Sequence, residues 1–418
     1  MKKNTDIILV ISTLFLGLWG VLMVMSTTIN TANMGNIYIK QAAALLIGFM
    51  VLVILRNLSY KILEEMSFVL YLFAVIALLL VFITGVRIHG GKRWLHLGFL
   101  YLQPVEFAKV AVILFIANII EKKKNIMAGI AAVAVIIFMV MAQPDAGSAM
   151  LFVPVFLGML AVSHYDIKWI YFTLPFVFIS GCTLLLESYL NIKSNSLIHY
   201  KSLIVAVAVS ALAYFVFTEL KKINKYMKLS VFIFTMSLLW ISLGVGIMGA
   251  DKLRDYQKKR IVSFLAPDID PLGAGYNTMQ SILAVGSGKI LGKGLFAGTQ
   301  TQLGFLPVNH TDFIFASVAE ELGFAGAFIM LFMLCVIMWQ TMNIFNRSED
   351  YGGRLIAAGI FSLIFTQTFL NTGVVLGLAP VIGIQLPFVS SGGSGMVAMC
   401  ALIGILLNIN QHTEIIGE

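Results

Sequence analysis

The sequence predicts an all-α polytopic membrane protein: a multi-span helical bundle of about ten to twelve transmembrane helices with a large extracytoplasmic loop, in one domain over residues 1–418. Three observations carry this expectation. Apolar residues make up 59% of the chain and charged residues 11%, and mean hydropathy is +0.94, a balance unsuited to a water-soluble globule. Uncharged stretches of about 20 residues recur, the length a helix needs to cross ~30 Å of hydrocarbon. Alternating segments of ~10 residues, the mark of an outer-membrane barrel, do not occur.

In chain order, Lys2 and Lys3 precede an apolar run to about Met25. This run is longer than the ~7 to 15 residues of a signal-peptide core and has no small-residue cleavage site, so it reads as a first span with a cytoplasmic N-terminus. Further spans are expected near 39–55, 67–85, 104–120, 127–142, 147–163, 169–187, 203–219, 229–249, 313–342, 354–378 and 391–409. With this start the positive-inside rule is met by Arg56 and Lys61, Lys122 to Lys124, Lys168, the run Lys221 to Lys228, and Arg347 with Arg354. Both termini are then cytoplasmic and the stretch 251–312 faces outward. Cys182, Cys335 and Cys400 fall in apolar spans without metal-ligand spacing, so redox chemistry and a protein metal site are not expected. The net charge of +8 is explained by topology and anionic lipid, and no polar face is long enough to follow a nucleic acid.

The polar chemistry concentrates in 251–312, a basic, glycine-rich segment punctuated by Pro267, Pro271 and Pro307 that ends in His310, Thr311 and Asp312 just before an apolar run. Its short apolar piece SILAV suits a helix lying in the outer interface. A second basic cluster, Arg87 to Trp94, has two readings: a site where Arg93 offers planar donors to phosphate, or an interfacial loop with Trp94 in the aromatic belt. Glu106 and Lys109 share a helix face, either paired with each other or with Lys109 free to bind phosphate. Asp145 caps the helix after Pro144 or takes part in catalysis. Glu320 and Glu321 either bond within the bundle or contribute to chemistry. Ser390 to Gly395 either allow close packing or present N–H groups to phosphate.

The segments GGKRWLHLGFLYLQPVEFAK, QPDAGSA, DPLGAGYNTMQS, AVGSGKILGKGLFAGTQTQLGFLPVNHTDFIF, AEELGFAG and IGIQLPFVSSGGSG occur in this order and together resemble the successive signatures of the SEDS (shape, elongation, division and sporulation) family. The wording TQTQLGFLP is closer to its elongation members than to its division members. The resemblance implies a peptidoglycan glycosyltransferase of the bacterial cytoplasmic membrane, polymerising lipid II during cell-wall elongation with the active site on the outer face. It also implies a class B penicillin-binding protein and other elongation-complex membrane proteins as partners. The family's essential aspartate matches Asp312, its first-outer-loop tryptophan matches Trp94, and its QPSExxK acid and base match Glu106 and Lys109. The chain departs from the family pattern at Val105, Ala146, Ser148, Val308 and Ser391. Its expected twelve spans exceed the family's usual ten, the surplus lying among 169–249.

The implied reaction can be examined on its own chemistry. An acceptor sugar hydroxyl attacks an anomeric carbon as a lipid diphosphate leaves, and one carboxylate taking the hydroxyl proton contributes ~10² to 10⁴ in rate. Glycosidases need a second carboxyl group to protonate a poor leaving group, whereas a diphosphate wants cations. Asp312 is therefore the expected base, with His310 beside it among the substrate-binding residues. Arg93, Lys109, Arg260, Lys289 and Lys293 are the candidate diphosphate ligands, although the basic run ending at Arg260 equally suits anchoring to anionic lipid. A divalent cation, Mg²⁺ or Mn²⁺, is compatible with the diphosphate. Two other readings stay open, a lipid II flippase and a non-catalytic scaffold for a penicillin-binding protein.

Overall fold

The structure, a computed structural model, describes residues 2–29, 36–88, 91–98, 100–122, 126–164, 264 and 275–415. Two units separate in the chain, Met1–His164 with Gln280–Glu418, and Tyr165–Met279. Nearly all of the second unit, with Arg260 and the spans expected near 169–187, 203–219 and 229–249, lies outside the described residues.

The first unit begins with α1 (Lys2–Thr28) and α2 (Ile37–Asn57), then the short α3 (Tyr60–Glu65) and α4 (Ser67–Thr84). A small antiparallel sheet follows, formed by β1 (Val86–Ile88), β2 (Gly91–Leu97) and β3 (Leu100–Leu102) in that order. Next come α5 (Pro104–Glu121), α6 (Ile126–Ala142) and α7 (Ala146–Ala161). Past residue 275 the chain forms α8 (Tyr276–Ser287), α9 (Thr299–Gln302), α10 (Ile314–Arg347), α11 (Tyr351–Val375) and α12 (Gly393–Ile415). Among the described residues six helices are long and apolar enough to cross a membrane: residues Thr5–Thr28 of α1, all of α2, α4, α10 and α11, and Gly393–His412 of α12. The chain is thus a multi-pass helical membrane protein, with helix bounds within a few residues of those expected except in α10 and α12.

Burial explains which helices lie inside. α5 packs against α4, α6, α7, α11 and α12, so its Glu106, Lys109 and Asn118 are shielded from lipid. α2 lies along α12, and glycines allow the approach: a Cβ at Gly404 would sit 2.7 Å from the Leu52 carbonyl, and one at Gly48 3.0 Å from Cys400 Sγ. On the outside, Phe324, Phe328 and Phe332 stack in sequence along α10.

The sheet at 86–102 replaces the loop expected there. The three residues of β1 and of β3 are too few for alternation to register in the sequence, and the seven of β2 (GKRWLHL) do not alternate; Val86 pairs with Trp94 and His96 with Tyr101, and Gly98 makes the β2–β3 turn at φ 69.

α10 is not the uninterrupted span expected over 313–342. At Gly323 the backbone leaves helical geometry, with φ 68 and ψ −166, a region open essentially to glycine. The freed groups are taken up by the segment before α10: Lys293 N–H donates to the Glu320 carbonyl (3.0 Å) and Gly294 N–H to that of Glu321 (2.9 Å). In return Phe324 N–H donates to the Lys289 carbonyl (2.8 Å) and Ala325 N–H to that of Ile290 (3.0 Å). Irregular backbone in a membrane protein requires such satisfaction from within.

The opposite end of α10 meets a second polar region. Tyr60 N–H donates to Asn408 Oδ1 (2.8 Å), and the Tyr60 hydroxyl to Asp350 Oδ2 (2.6 Å). Burial opposes charge on Asp350, but the Tyr60 hydroxyl, the Gly353 N–H and Lys61 outweigh it and hold the carboxyl below the usual carboxylate range. Burial, followed by the neighbouring Glu121 and Asp350, pushes the Glu64 carboxyl up to about 9.

The Gly323 break yields a stability prediction. A Cβ at Gly323 would lie 2.3 Å from Gly292 N and 2.4 Å from the Ile290 carbonyl, so Gly323→Ala is expected to destabilise by more than about 3 kcal/mol. Gly304, at φ 76 with nothing within 4 Å, isolates the backbone cost, and Gly304→Ala should lose only about 1 to 2 kcal/mol. Thermal melts of the detergent-purified variants compare the two.

Candidate functional site

Asp312 sits in the turn that leads into α10, and the turn is held carbonyl by carbonyl. The His310 carbonyl accepts from Ser391 N–H (2.9 Å), that of Thr311 from Ser390 Oγ (2.7 Å), and that of Asp312 from Asn371 Nδ2 (2.8 Å). The donors are themselves fixed. Asn371 Nδ2, on α11, also donates to the Ile384 carbonyl (2.7 Å), and Ser390 Oγ accepts from Leu386 N–H (2.8 Å). Gln41 of α2 clasps the 390–392 stretch that supplies two of these donors, donating to the Ser390 carbonyl (3.1 Å) and accepting from Gly392 N–H (3.0 Å). The Asp312 side chain is half-buried, with Oδ2 3.4 Å from the point a Cβ on Gly383 would occupy; Gly383 is at φ 76. His310 is buried.

The N-terminal end of α5 forms the next wall. Pro104 stands in the first turn, where its missing N–H costs nothing, and Gln103 N–H donates to Ser394 Oγ (2.9 Å) of α12. Lys109 Nζ and Glu106 Oε1 pair at 2.7 Å with side chains 4% and 6% exposed, the local pairing reading of these residues. Glu106 lines a small cavity with Gln367, Gln385, Ser390 and Met396. It thus shares the 385–396 stretch with the donors that fix the Asp312 turn.

Arg93 turns toward the α6–α7 connection. Its Nη1 lies 3.4 Å from Asp145 Oδ1, and its Nη2 donates to the Pro144 carbonyl. Asp145 is also the cap of α7, accepting from Ser148 N–H (3.2 Å) and Ser148 Oγ (2.9 Å). A Cβ on Gly147 would lie 2.3 Å from the Ile382 carbonyl, so this cap presses on the stretch that reaches Asp312 through Gly383. Trp94 lies half-buried on β2.

Glu320 and Glu321, both fully buried, anchor the segment before the Asp312 turn. Glu320 Oε1 accepts from Lys293 Nζ (2.8 Å), Gln300 N–H (2.9 Å) and Thr299 Oγ1 (3.2 Å), and Oε2 from Thr301 N–H (3.0 Å). Glu321 Oε2 accepts from Ser26 Oγ of α1 (2.5 Å) and Phe296 N–H (3.2 Å), and Oε1 from Gln302 Nε2 (2.9 Å). Of the expected cations, Arg93, Lys109 and Lys293 therefore each hold a carboxylate of the bundle, Lys289 is exposed, and Arg260 lies outside the described residues. Asn371, Gln367, Gln385 and Gln41 were not singled out in the sequence. Gln367 and Asn371 are four apart in an apolar span and hence on one face of α11, a signal that could have marked them.

Removing one member of the Glu106–Lys109 pair leaves a buried charge unmet, so Glu106→Gln and Lys109→Met should each cost about 3 to 5 kcal/mol. The double variant should recover most of that loss, and a thermodynamic cycle from thermal melts of the four proteins measures the coupling.

Comparisons with known proteins bear on this arrangement. The chain is 32% identical to the peptidoglycan glycosyltransferase MrdB of Escherichia coli (strain K12), over 100% of this chain and 96% of that protein. It is 28% identical to the peptidoglycan glycosyltransferase RodA of Treponema pallidum (strain Nichols), over 98% of each. A solved chain from a peptidoglycan synthase complex shares the fold, with TM-score 0.66 at 24% identity over 97% of both chains. The sequence profile of a family described as "Cell cycle protein", FtsW/RodA/SpoVE, matches residues 6–204 and 200–415. With nearly its whole length matched, the chain belongs to the FtsW/RodA/SpoVE family.

Proposed function

We propose that the protein is a peptidoglycan glycosyltransferase that polymerises lipid II into glycan strands, with Asp312 as the general base. The observation that carries this is the Asp312 turn, whose three successive carbonyls are each fixed by a separate donor while the carboxylate itself stays half-exposed. A base acts efficiently when its geometry is set before the substrate arrives, and this turn has little freedom left.

The acceptor 4-hydroxyl gives its proton to Asp312 as its oxygen attacks the anomeric carbon of the donor sugar. The bond from that carbon to the lipid diphosphate breaks, and a single displacement converts an α-linked diphosphate into a β-1,4 linkage. The leaving diphosphate needs positive charge. Among the described residues the exposed Lys289 is a candidate not paired with a carboxylate, and Lys109 serves only by leaving Glu106; Arg260, the other candidate, lies outside the described residues. A divalent cation, Mg²⁺ or Mn²⁺, would ride on the diphosphate oxygens with few protein ligands.

The arrangement of basic residues supports both termini in the cytoplasm and Asp312 at the outer face. A class B penicillin-binding protein that crosslinks the new strand completes the proposal. It is supported by the likeness to a chain described in terms of polymerization and crosslinking by a peptidoglycan synthase complex.

The test is polymerisation of purified lipid II by the purified protein, with and without its penicillin-binding partner. Asp312→Asn is expected to lower the rate at least ~10²-fold with melting temperature retained. Glycan products unchanged by that substitution would overturn the assignment of the base.

A further inference from the structure

The end of α10 remote from Asp312 holds a cluster that the glycan chemistry leaves unused. Glu64 lies in the last turn of α3, Glu121 ends α5, and Asp350 caps α11. One carboxylate oxygen from each lies within 4.8 Å of the other two. Oxygens across a single hard divalent cation stand about 4 to 5 Å apart, twice a metal–oxygen bond of ~2.0 to 2.6 Å, so the three are spaced for one coordination sphere.

Two further observations point to a ligand. Glu64 is 5% exposed, and its Oε1 has no hydrogen-bond partner among the described residues. A buried carboxyl oxygen with no hydrogen-bond partner is a deficit that native structures rarely leave. Beside it, the position a Cβ on Gly352 would take lies 2.8 Å from both Glu64 oxygens and 3.0 Å from Glu121 Oε2. Three carboxylate oxygens thus converge on the first turn of α11 where no side chain intervenes.

Among the described residues the protein's own cations do not fill this role. Lys61 Nζ lies 3.3 Å from Asp350 Oδ1 on the exposed side, while Tyr60 and Gly353 N–H serve Oδ2. Among the described residues no Lys or Arg stands within ion-pair distance of Glu64 or Glu121. Oxygen-only donors select a hard ion over a soft one.

We infer that Glu64, Glu121 and Asp350 bind a hard divalent cation, Mg²⁺, Mn²⁺ or Ca²⁺, which ties α3, the end of α5 and the start of α11 together. The site is separate from any metal carried by a diphosphate near Asp312, and the inference stands whether or not the proposed reaction does.

The full-length protein in detergent, stripped with chelator and carrying Asp312→Asn to remove that carboxylate, is titrated with Mn²⁺ and read by electron paramagnetic resonance. One bound Mn²⁺ per chain is expected, displaced by Mg²⁺ or Ca²⁺ and accompanied by a rise in melting temperature. Glu121→Gln should weaken binding on the order of tenfold or more. Gly352→Ala keeps all three carboxylates but puts a methyl group among flexible side-chain ends, so it should fold and still bind more weakly. Lys61→Ala removes a competing ammonium and should tighten binding. Absence of bound Mn²⁺ at about 1 mM overturns the inference and leaves a proton shared between Glu64 and Glu121. Binding unchanged by both Glu121→Gln and Gly352→Ala overturns it equally.

Discussion

The exchange of backbone hydrogen bonds across Gly323 is the constraint on which the rest of the architecture around Asp312 depends. A helix interrupted in a membrane protein exposes amides and carbonyls that lipid cannot satisfy, and here residues 289–294 satisfy them from one side while residues 320–325 return the favour. The break makes Glu320 and Glu321 available to the preceding segment, and their oxygens gather side chains and amides from Ser26 to Gln302. The chain just before the Asp312 turn is thereby fastened to two membrane helices. The turn is then closed from the other side by Asn371, Ser390 and Ser391, so Asp312 is placed by what lies both before and after it.

Among the described residues, several cations of the bundle are paired with its own carboxylates. Arg93 with Asp145 and Lys293 with Glu320 link elements well separated in sequence, and Lys109 with Glu106 fills the α5 face that looks toward α12. These pairs fix the surroundings of Asp312 more directly than they bind a ligand. In the proposed reaction a diphosphate beside Asp312 would take its positive ligands from cations other than these three.

Much of the fold was legible because a membrane span is a statement about composition over about 20 residues, and needs no knowledge of what it touches. The Glu106–Lys109 pair was within reach for a similar reason, its members being three residues apart. What escaped was set by distance along the chain. Gly323 in ELGFAG reads as a tolerated helix glycine, since its partner strand of backbone lies some thirty residues upstream. Arg93 and Lys293 read as phosphate ligands because Asp145 and Glu320 are remote in sequence and adjacent only once folded. The three-residue strands at 86–102 are below the length at which alternation can be recognised. Asp312 stands out in the sequence by its motif and its place at the head of an apolar run; nothing local marks Asn371, whose side chain bonds its carbonyl.

The buried ion pair of α5 also bears on how the protein is made. With Glu106 and Lys109 in its first two turns and Glu121 at its end, α5 is a weaker signal for the translocon, each charge costing up to ~2.5 to 3.5 kcal/mol, the value at the helix centre. Its apolar neighbours α4 and α6 carry no such penalty. Insertion of α5 is then expected to lean on its apolar neighbours α4 and α6, which pack against it.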